Sequence, residues 1–563
     1  MTEVAALDTR HGIGVSPGIA AGPVVQVRPP VRPPEQEPAA ADPVAAGQQV
    51  RQVLESVAAT LDDLAARADP TAQQILTATA MMARDPGLAA AADKHLTSGS
   101  GPATAVDAAA EEYCAMFSAA GGYLAERVTD LRDVRDRAVA RLLGVADPGV
   151  PELTKPSVIV AHDLAPAETA SLRRDMVLAI VTESGGPTSH TAILAAQMGI
   201  PAVVQVPRAV AISVGTQVAV DGSTGEVFVD PDPATQTELM GRSERRANAL
   251  GAVSGPGSTI DGHPVALLAN IGTADDAERA GPGDVEGVGL FRTEFLFLDR
   301  EIAPTLEEQV AVYTRVFEAF GSRRVVVRTL DAGADKPLAF ADLGPEDNPA
   351  LGRRGLRLSA ERPELLDTQL TALGTAATAT GADVRVMAPM VATAEEAAWF
   401  ARRVREHGLP VVGVMIEVPA AALRSRHVLA EVDFASIGTN DLAQYTLAAD
   451  RTQGELATLL DPWQPAVLDL IAAACDGGRD TGKHIGVCGE AAADPLLALV
   501  LTGLGVSSLS MAPTRVPAVR AALRLHDLRT CTAMAAAARA ARSPQDARDA
   551  VAALADKLMV DLV

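Results

Sequence analysis

Aromatic residues are scarce in this sequence, at 3% of 563 residues, so its interiors must be assembled mainly from Ala, Val and Leu. Cysteine is rarer still. The four cysteines, Cys114, Cys475, Cys488 and Cys531, show no paired CxxC spacing, which argues against both a zinc site and a disulfide framework. No apolar run is long enough to cross a bilayer: the longest, around Leu496 to Val506, is about half a membrane span. The first residues lack a basic stretch followed by an apolar core, so no signal peptide is expected and the protein reads as soluble and cytoplasmic. Basic residues are outnumbered, giving a formal charge of −23 with no basic stripe. That excludes nucleic acid as a partner and leaves a basic protein partner compatible.

What is present is length and order. A chain of this size exceeds one hydrophobic core, and three or four domains are expected. Residues 12–28 alternate like a strand around a Gly-rich turn, and Pro29 to Pro38 form a proline-rich linker. From about 44 to 144 the apolar residues repeat with helical spacing, as in Val53, Val57, Leu61 and Leu64, predicting several antiparallel helices. Strand-like runs return at 157–161, 176–181, 202–206 and 217–220, with a hairpin-like Asp-Gly-Ser-Thr-Gly at 221–225. The strand near residue 14 is expected to pair with this set, which makes the helical block an insertion in a small α/β domain. Residues 234–250 read as a polar connecting helix and Gly251 to Gly257 as a loop.

Eight short apolar runs then follow in order, at 265–270, 287–291, 324–328, 384–388, 411–416, 434–438, 484–488 and 506–510. Eight β/α units over this length predict a closed (β/α)₈ barrel with its active site at the C-terminal strand ends. Those ends carry Asn270, Arg292-Thr-Glu294, Arg328, Met390, Glu417, Asn440-Asp441 and Cys488-Gly-Glu490. Arginines there, with Arg451 in a following loop, suit a small substrate bearing carboxylate and phosphate, which guanidinium groups grip bidentately. The alternative for Arg451 is a surface ion pair. Glu417 and Asp441 are hard oxygen donors that favour Mg²⁺ or Mn²⁺ over zinc, or else they pair with the same arginines. Cys488 is placed either to donate a proton to a carbon centre or to fill space as a small apolar residue. Lys336 adds positive charge near a phosphate or is a solvated loop lysine.

A separate segment, Ser184-Gly-Gly-Pro-Thr-Ser-His-Thr191, puts His190 just after a tight turn, at a predicted helix start. A helix ending at Gly199 would place backbone N–H groups and the positive end of its dipole beside the imidazole. That setting favours a phosphoryl group on a neutral, nucleophilic ring.

These segments together resemble enzyme I of the bacterial sugar phosphotransferase system, a phosphoenolpyruvate–protein phosphotransferase. The resemblance runs from Gly14-Val-Ser-Pro-Gly-Ile-Ala through the His190 segment, Gly289-Leu-Phe-Arg-Thr-Glu-Phe and Val327-Arg-Thr-Leu-Asp331. It continues through Asp347-Asn-Pro-Ala-Leu-Gly352, Gly413-Val-Met-Ile-Glu-Val-Pro419, Ser436-Ile-Gly-Thr-Asn-Asp-Leu-Ala-Gln-Tyr445 and Val487-Cys-Gly-Glu490. It implies a multidomain α/β architecture: a swivelling phosphohistidine α/β domain over 1–30 and 145–232, with a helical carrier-binding domain inserted at 31–144. A linker over 233–257 then leads to a barrel that binds phosphoenolpyruvate and dimerises, over 258–563. It implies phosphorylation of His190 on Nε2, phosphoenolpyruvate held by Arg292, Arg328, Asn440, Asp441 and Arg451, and Mg²⁺ (or Mn²⁺) on Glu417 and Asp441. Cys488 would protonate the enolpyruvate carbon. The phosphoryl group would pass to the small histidine-containing phosphocarrier protein HPr, docked on the helical insertion, and the enzyme would be a homodimer. A non-catalytic relative would be expected to lack some of His190, Arg292, Arg328, Glu417 and Asp441, and all five are present.

Departures from the pattern are specific. Pro187 stands where many relatives carry arginine beside the histidine, Arg353 replaces a common tryptophan, and Ala334 replaces a common glycine. The segment Ile75 to Asp85 lacks the acidic and histidine residues common on a carrier-docking face, though Met81 and Met82 offer an adaptable apolar contact.

Overall fold

The computed structural model describes residues 8–66, 70–120, 127–151, 153–164, 172–186, 191–192, 195, 198–251, 253–298, 300–333, 338–341, 343–344, 346–451 and 453–562. The chain divides into two compact units, one up to Ser243 and one from Glu244 onward, and the division falls inside the helix Pro233–Gly251.

The first unit is built on an eight-stranded sheet. Its strands are β1 (Asp8–His11), β2 (Ile13–Ser16), β3 (Ile19–Gln26), β4 (Ser157–Ala161), β5 (Val177–Thr182), β6 (Ala202–Val204), β7 (Gln217–Asp221) and β8 (Glu226–Val229). The order is β1-β8-β7-β3-β4-β5-β6-β2, with β3 to β6 mutually parallel. Strand β4, Ser-Val-Ile-Val-Ala, is buried along its whole length, as a central parallel strand requires. Val24 pairs with Val158, so everything between β3 and β4 is inserted between two adjacent strands. Strand β1, which pairs antiparallel with β8, was not anticipated. The hairpin expected at 221–225 is present: Asp221 Oδ1 accepts from the amides of Ser223 (2.9 Å) and Thr224 (3.2 Å), closing the turn that sends β8 back along β7. Gly222 in that turn lies against β2, where a Cβ would come within 1.9 Å of the Ser16 carbonyl oxygen.

The insertion is a helical bundle: α1 (Pro43–Ala65), α2 (Pro70–Ala83), α3 (Pro86–Thr97), α4 (Pro102–Ala120) and α5 (Val128–Leu142). Asp42 and Asp85 cap α1 and α3 through their side chains, each followed by proline at the first helical position. The core is Val50, Leu54, Val57, Ala58, Leu61, Ala105, Ala109 and Leu131 among others, so small aliphatics replace the missing rings. The proline-rich stretch is tied down rather than free. Glu37 accepts from the amides of Ala103 (3.1 Å) and Thr104 (2.7 Å) at the start of α4, and Arg28 and Gly149 exchange backbone hydrogen bonds.

The second unit is a closed barrel of eight parallel strands: β9 (Ala266–Ile271), β10 (Gly287–Arg292), β11 (Arg324–Arg328), β12 (Val384–Ala388), β13 (Val411–Ile416), β14 (Phe434–Gly438), β15 (His484–Cys488) and β16 (Ser508–Met511). Each coincides with one of the eight apolar runs. Outward residues such as Val325, Val386, Val412 and Ile437 pack against the surrounding helices, while Leu290, Val326, Met387, Met415 and Cys488 fill the interior. The apolar stretch at Leu496 to Val506 is a buried barrel helix, Pro495–Leu504. Trp463 is fully buried with its indole N–H donating 2.9 Å to Asp494.

Candidate active site at the barrel mouth

The C-terminal strand ends gather a dense set of opposite charges. Arg328, the last residue of β11, is buried; its Nη2 donates 2.9 Å to Glu294 and its Nη1 lies 3.2 Å from Asp331. Burial works against its charge, but the carboxylates of Glu294, Asp331, Glu417 and Asp441 outweigh that and hold the guanidinium above its ordinary value. Glu417 follows β13 directly and is fully buried. One of its oxygens accepts from the Met390 amide at 2.6 Å, and the other, Oε2, has no hydrogen-bond partner. Burial, then the carboxylates of Asp441 and Asp331, push Glu417 up to about 8 against the pull of Arg328. Met390 holds φ at +59°, a conformation uncommon for a side-chain-bearing residue and typical of strained functional sites. A Cβ on Gly438 would come within 2.7 Å of Glu417 Oε2, so glycine there keeps space open at the carboxylate.

Asn440 and Asp441 sit in the first turn of the helix Thr439–Leu447, immediately after β14. Asn440 is exposed and Asp441 buried. Asp441 is 3.3 Å from Arg354 and 3.7 Å from Arg451. Arg292 closes β10 with an exposed side chain that makes no ion pair among the described residues. Cys488 ends β15, is 2% exposed, and donates 3.5 Å to the Ile437 carbonyl. Burial raises its thiol pKa above the ordinary value, so it is a protonated thiol at neutral pH. Asn270 accepts from Ser510 and donates 3.2 Å to that residue's carbonyl, an internal role between β9 and β16.

Every barrel residue singled out from the sequence as a ligand or acid, except Lys336, is therefore at this mouth: Arg292, Arg328, Glu417, Asn440, Asp441, Arg451 and Cys488. His190, Pro187, Ala334 and Lys336 lie outside the described residues. Around the histidine, Thr191, Ala192, Ala195 and Met198 are helical, and Gly199 ends the helix at φ +65° with Ile200 N–H returning to the Ala195 carbonyl at 2.9 Å.

The residue missed by sequence reasoning is Arg354. It is 1% exposed and links Asp331 (3.1 Å) to Asp441 (3.3 Å), with Tyr445 at 3.3 Å. Its neighbour Arg353, noted for replacing a tryptophan, instead pins the preceding loop by donating to Glu346 (2.6 Å) and the Leu343 carbonyl (2.8 Å). Among the described residues no cluster of three or more His, Cys, Asp or Glu suits a metal. The carboxylates at this mouth that could hold a cation are those of Glu417 and Asp441. Two protein ligands with the remaining positions left to water and substrate oxygens is the usual way of holding Mg²⁺, and the unpartnered Glu417 Oε2 fits it.

Three family models match the chain in succession: the N-terminal domain of PEP-utilising enzymes at residues 11–127, their mobile domain at 153–225 and their PEP-binding domain at 247–528. The chain is 53% identical to the phosphoenolpyruvate-protein phosphotransferase of Streptomyces coelicolor, across 97% of this chain and 99% of that one. It is 38% identical to the protein of the same name from Haloferax volcanii, across 92% and 94%. For the Bacillus subtilis protein the identity is 41%, across 70% and 72%.

Proposed function

This chain belongs to the phosphoenolpyruvate-utilising enzymes, as a phosphoenolpyruvate–protein phosphotransferase, and from that premise we propose an assignment of the reaction to its residues. Phosphoenolpyruvate carries a carboxylate and a phosphate on three carbons. Arg292 and Arg451, reaching the mouth from β10 and from the segment after the helix Thr439–Leu447, grip these anionic ends with Asn440. Buried Arg328 faces the phosphoryl oxygens, where its unloseable charge counters the negative charge that spreads in the transition state. His190 attacks phosphorus through Nε2. The bond from phosphorus to the enol oxygen breaks, an N–P bond forms, and the enolate takes a proton at carbon from the Cys488 thiol to leave pyruvate. Glu417 and Asp441 are the residues that would hold Mg²⁺ or Mn²⁺, which when bound screens the phosphate charge. The convergence of Arg328, Glu417, Asp441 and Cys488 on one mouth is the observation that carries this reading.

The next acceptor in the proposal is HPr, recognised on the helical insertion. Met81 on α2 is 68% exposed and available for an apolar contact, whereas Met82 packs against the bundle core and is not. Dimerisation through the barrel and a cytoplasmic location complete the proposal; no helix among the described residues is long and apolar enough to cross a membrane.

The test is incubation with isotopically labelled phosphoenolpyruvate and Mg²⁺, followed by peptide mapping. Acid-labile label on His190, absent without divalent cation, is expected. His190→Ala should abolish labelling while leaving phosphoenolpyruvate bound to the barrel; loss of binding as well would contradict separate sites for binding and phosphorylation.

A further inference from the structure

Behind the charged mouth lies a buried polar chain that connects two barrel helices to the backbone carrying Arg328. Gln309 and Tyr313, on the helix Leu306–Phe320, and Gln369, on the helix Pro363–Thr380, are 0–1% exposed, as is Thr293 after β10. Gln369 Oε1 accepts from the Leu330 amide at 3.0 Å. Its Nε2 donates 3.1 Å to Thr293 Oγ1 and 3.1 Å to the Tyr313 hydroxyl. Thr293 Oγ1 then donates 2.9 Å to the Arg328 carbonyl, and Tyr313 donates 3.3 Å to Gln309, whose own Nε2 donates 3.1 Å to the Pro304 carbonyl.

The direction of every hydrogen bond in this chain is forced. Leu330 offers an N–H, so Gln369 must turn its oxygen there and its two N–H groups toward the hydroxyls. Thr293 faces only a carbonyl on its far side and must donate to it. With one self-consistent arrangement, the chain fixes the backbone at positions 328 and 330, on either side of Thr329 and next to Asp331. Glu294, which follows Thr293, accepts from both the Arg328 guanidinium (2.9 Å) and the Asp331 amide (3.2 Å).

We propose that Gln369 is a positioning residue for phosphoryl transfer, holding Arg328 and Asp331 in place through Thr293 and the Leu330 amide without touching substrate. Gln369 does more than fill space: an aliphatic side chain of the same volume would leave the buried Leu330 amide without this acceptor. Phosphoryl transfer depends on placement of charge, and displacements of about 1 Å can cost about 100-fold in rate. The inference rests on the proposed role of Arg328 in binding the phosphoryl group.

The experiment measures single-turnover labelling from phosphoenolpyruvate in the full-length protein for Gln369→Met, which keeps the volume and removes the amide. Expected is a fall of about 10- to 100-fold in kcat/KM, carried mainly by kcat. Thr293→Val should reproduce it, Thr293→Ser should restore most of the loss, and Gln369→Met combined with Thr293→Val should cost no more than either alone. Kinetics within twofold of the parent, whether or not the urea midpoint falls, would overturn the proposal. Should Gln369→Met not fold, the Thr293→Val and Thr293→Ser pair decides the matter by the same criteria. Arg328→Met is the control on the underlying reading: normal turnover there would remove Arg328 from the reaction, whereas a dead Arg328 variant beside an unaffected Gln369 variant would remove only Gln369.

Discussion

Cys488 keeps its proton because the thiol is buried at a strand end, which outweighs the opposing hydrogen bond with Ser436 and the pull of Arg328 and Arg292. A group that must act as an acid is useful only while protonated. The rate of enolate protonation should therefore be flat through neutral pH and fall as pH rises through the raised thiol pKa, above the ordinary value of 9.0. Cys488→Ala should slow pyruvate formation by about 100-fold or more while phosphoenolpyruvate binding stays close to that of the parent. A stopped-flow pH profile of both proteins checks this, and an unchanged profile in Cys488→Ala would remove the thiol from the mechanism. Cys488, Arg328, Glu417 and Asp441 were legible in the sequence because each sits at or just beyond the end of an apolar run that could only be a barrel strand. Arg354 was not. It lies in a loop beside a second arginine, and its partners Asp331 and Asp441 are 110 residues apart in sequence; barrel closure alone brings them to one guanidinium.

The helix starts around the barrel repeat one device. Thr273 with Asp276, Thr305 with Glu308 and Thr393 with Glu396 each form a reciprocal capping box at the start of a barrel helix. In the last, Thr393 Oγ1 accepts from the Glu396 amide at 3.2 Å, while the Glu396 carboxylate accepts from the amides of Ala392 (2.7 Å) and Thr393 (3.0 Å). Thr393→Ala leaves one orphan N–H at the first turn of the helix Ala394–Glu406. It should destabilise the protein by about 1 kcal/mol with little effect on labelling at His190. Urea unfolding monitored on the barrel measures it; a cost near zero would mean that water replaces the hydroxyl without loss. The barrel elements were readable because eight short, mainly apolar runs recur in order with helical patterns between most of them. Strand β1 escaped because it is four residues long and half-exposed, so its residues carry no apolar run that stands out, whereas β8 was signalled by its turn. The helical insertion was legible only as a block, since Ala-rich helices show spacing but weak contrast between faces.

Transfer from a small substrate to a protein partner needs a phosphoryl group that travels, and the division of the chain into two compact units assigns the two ends of that journey to different cores. The residues proposed to bind phosphoenolpyruvate are all in the second unit and His190 is in the first. Two cores of this size are expected to unfold as separate cooperative transitions in calorimetry. If the proposed site is correct, phosphoenolpyruvate with Mg²⁺ should stabilise the barrel's transition alone, by about 2.7 kcal/mol at one hundred times the dissociation constant. The measurement is best made on His190→Ala, so that turnover does not consume the ligand during the scan. An upward shift confined to one transition, lost in Glu417→Gln, places the substrate and the cation together on the barrel. Equal shifts of both transitions would mean that the histidine-bearing unit also gains binding energy from the substrate, and the ligand set at the strand ends would then be incomplete.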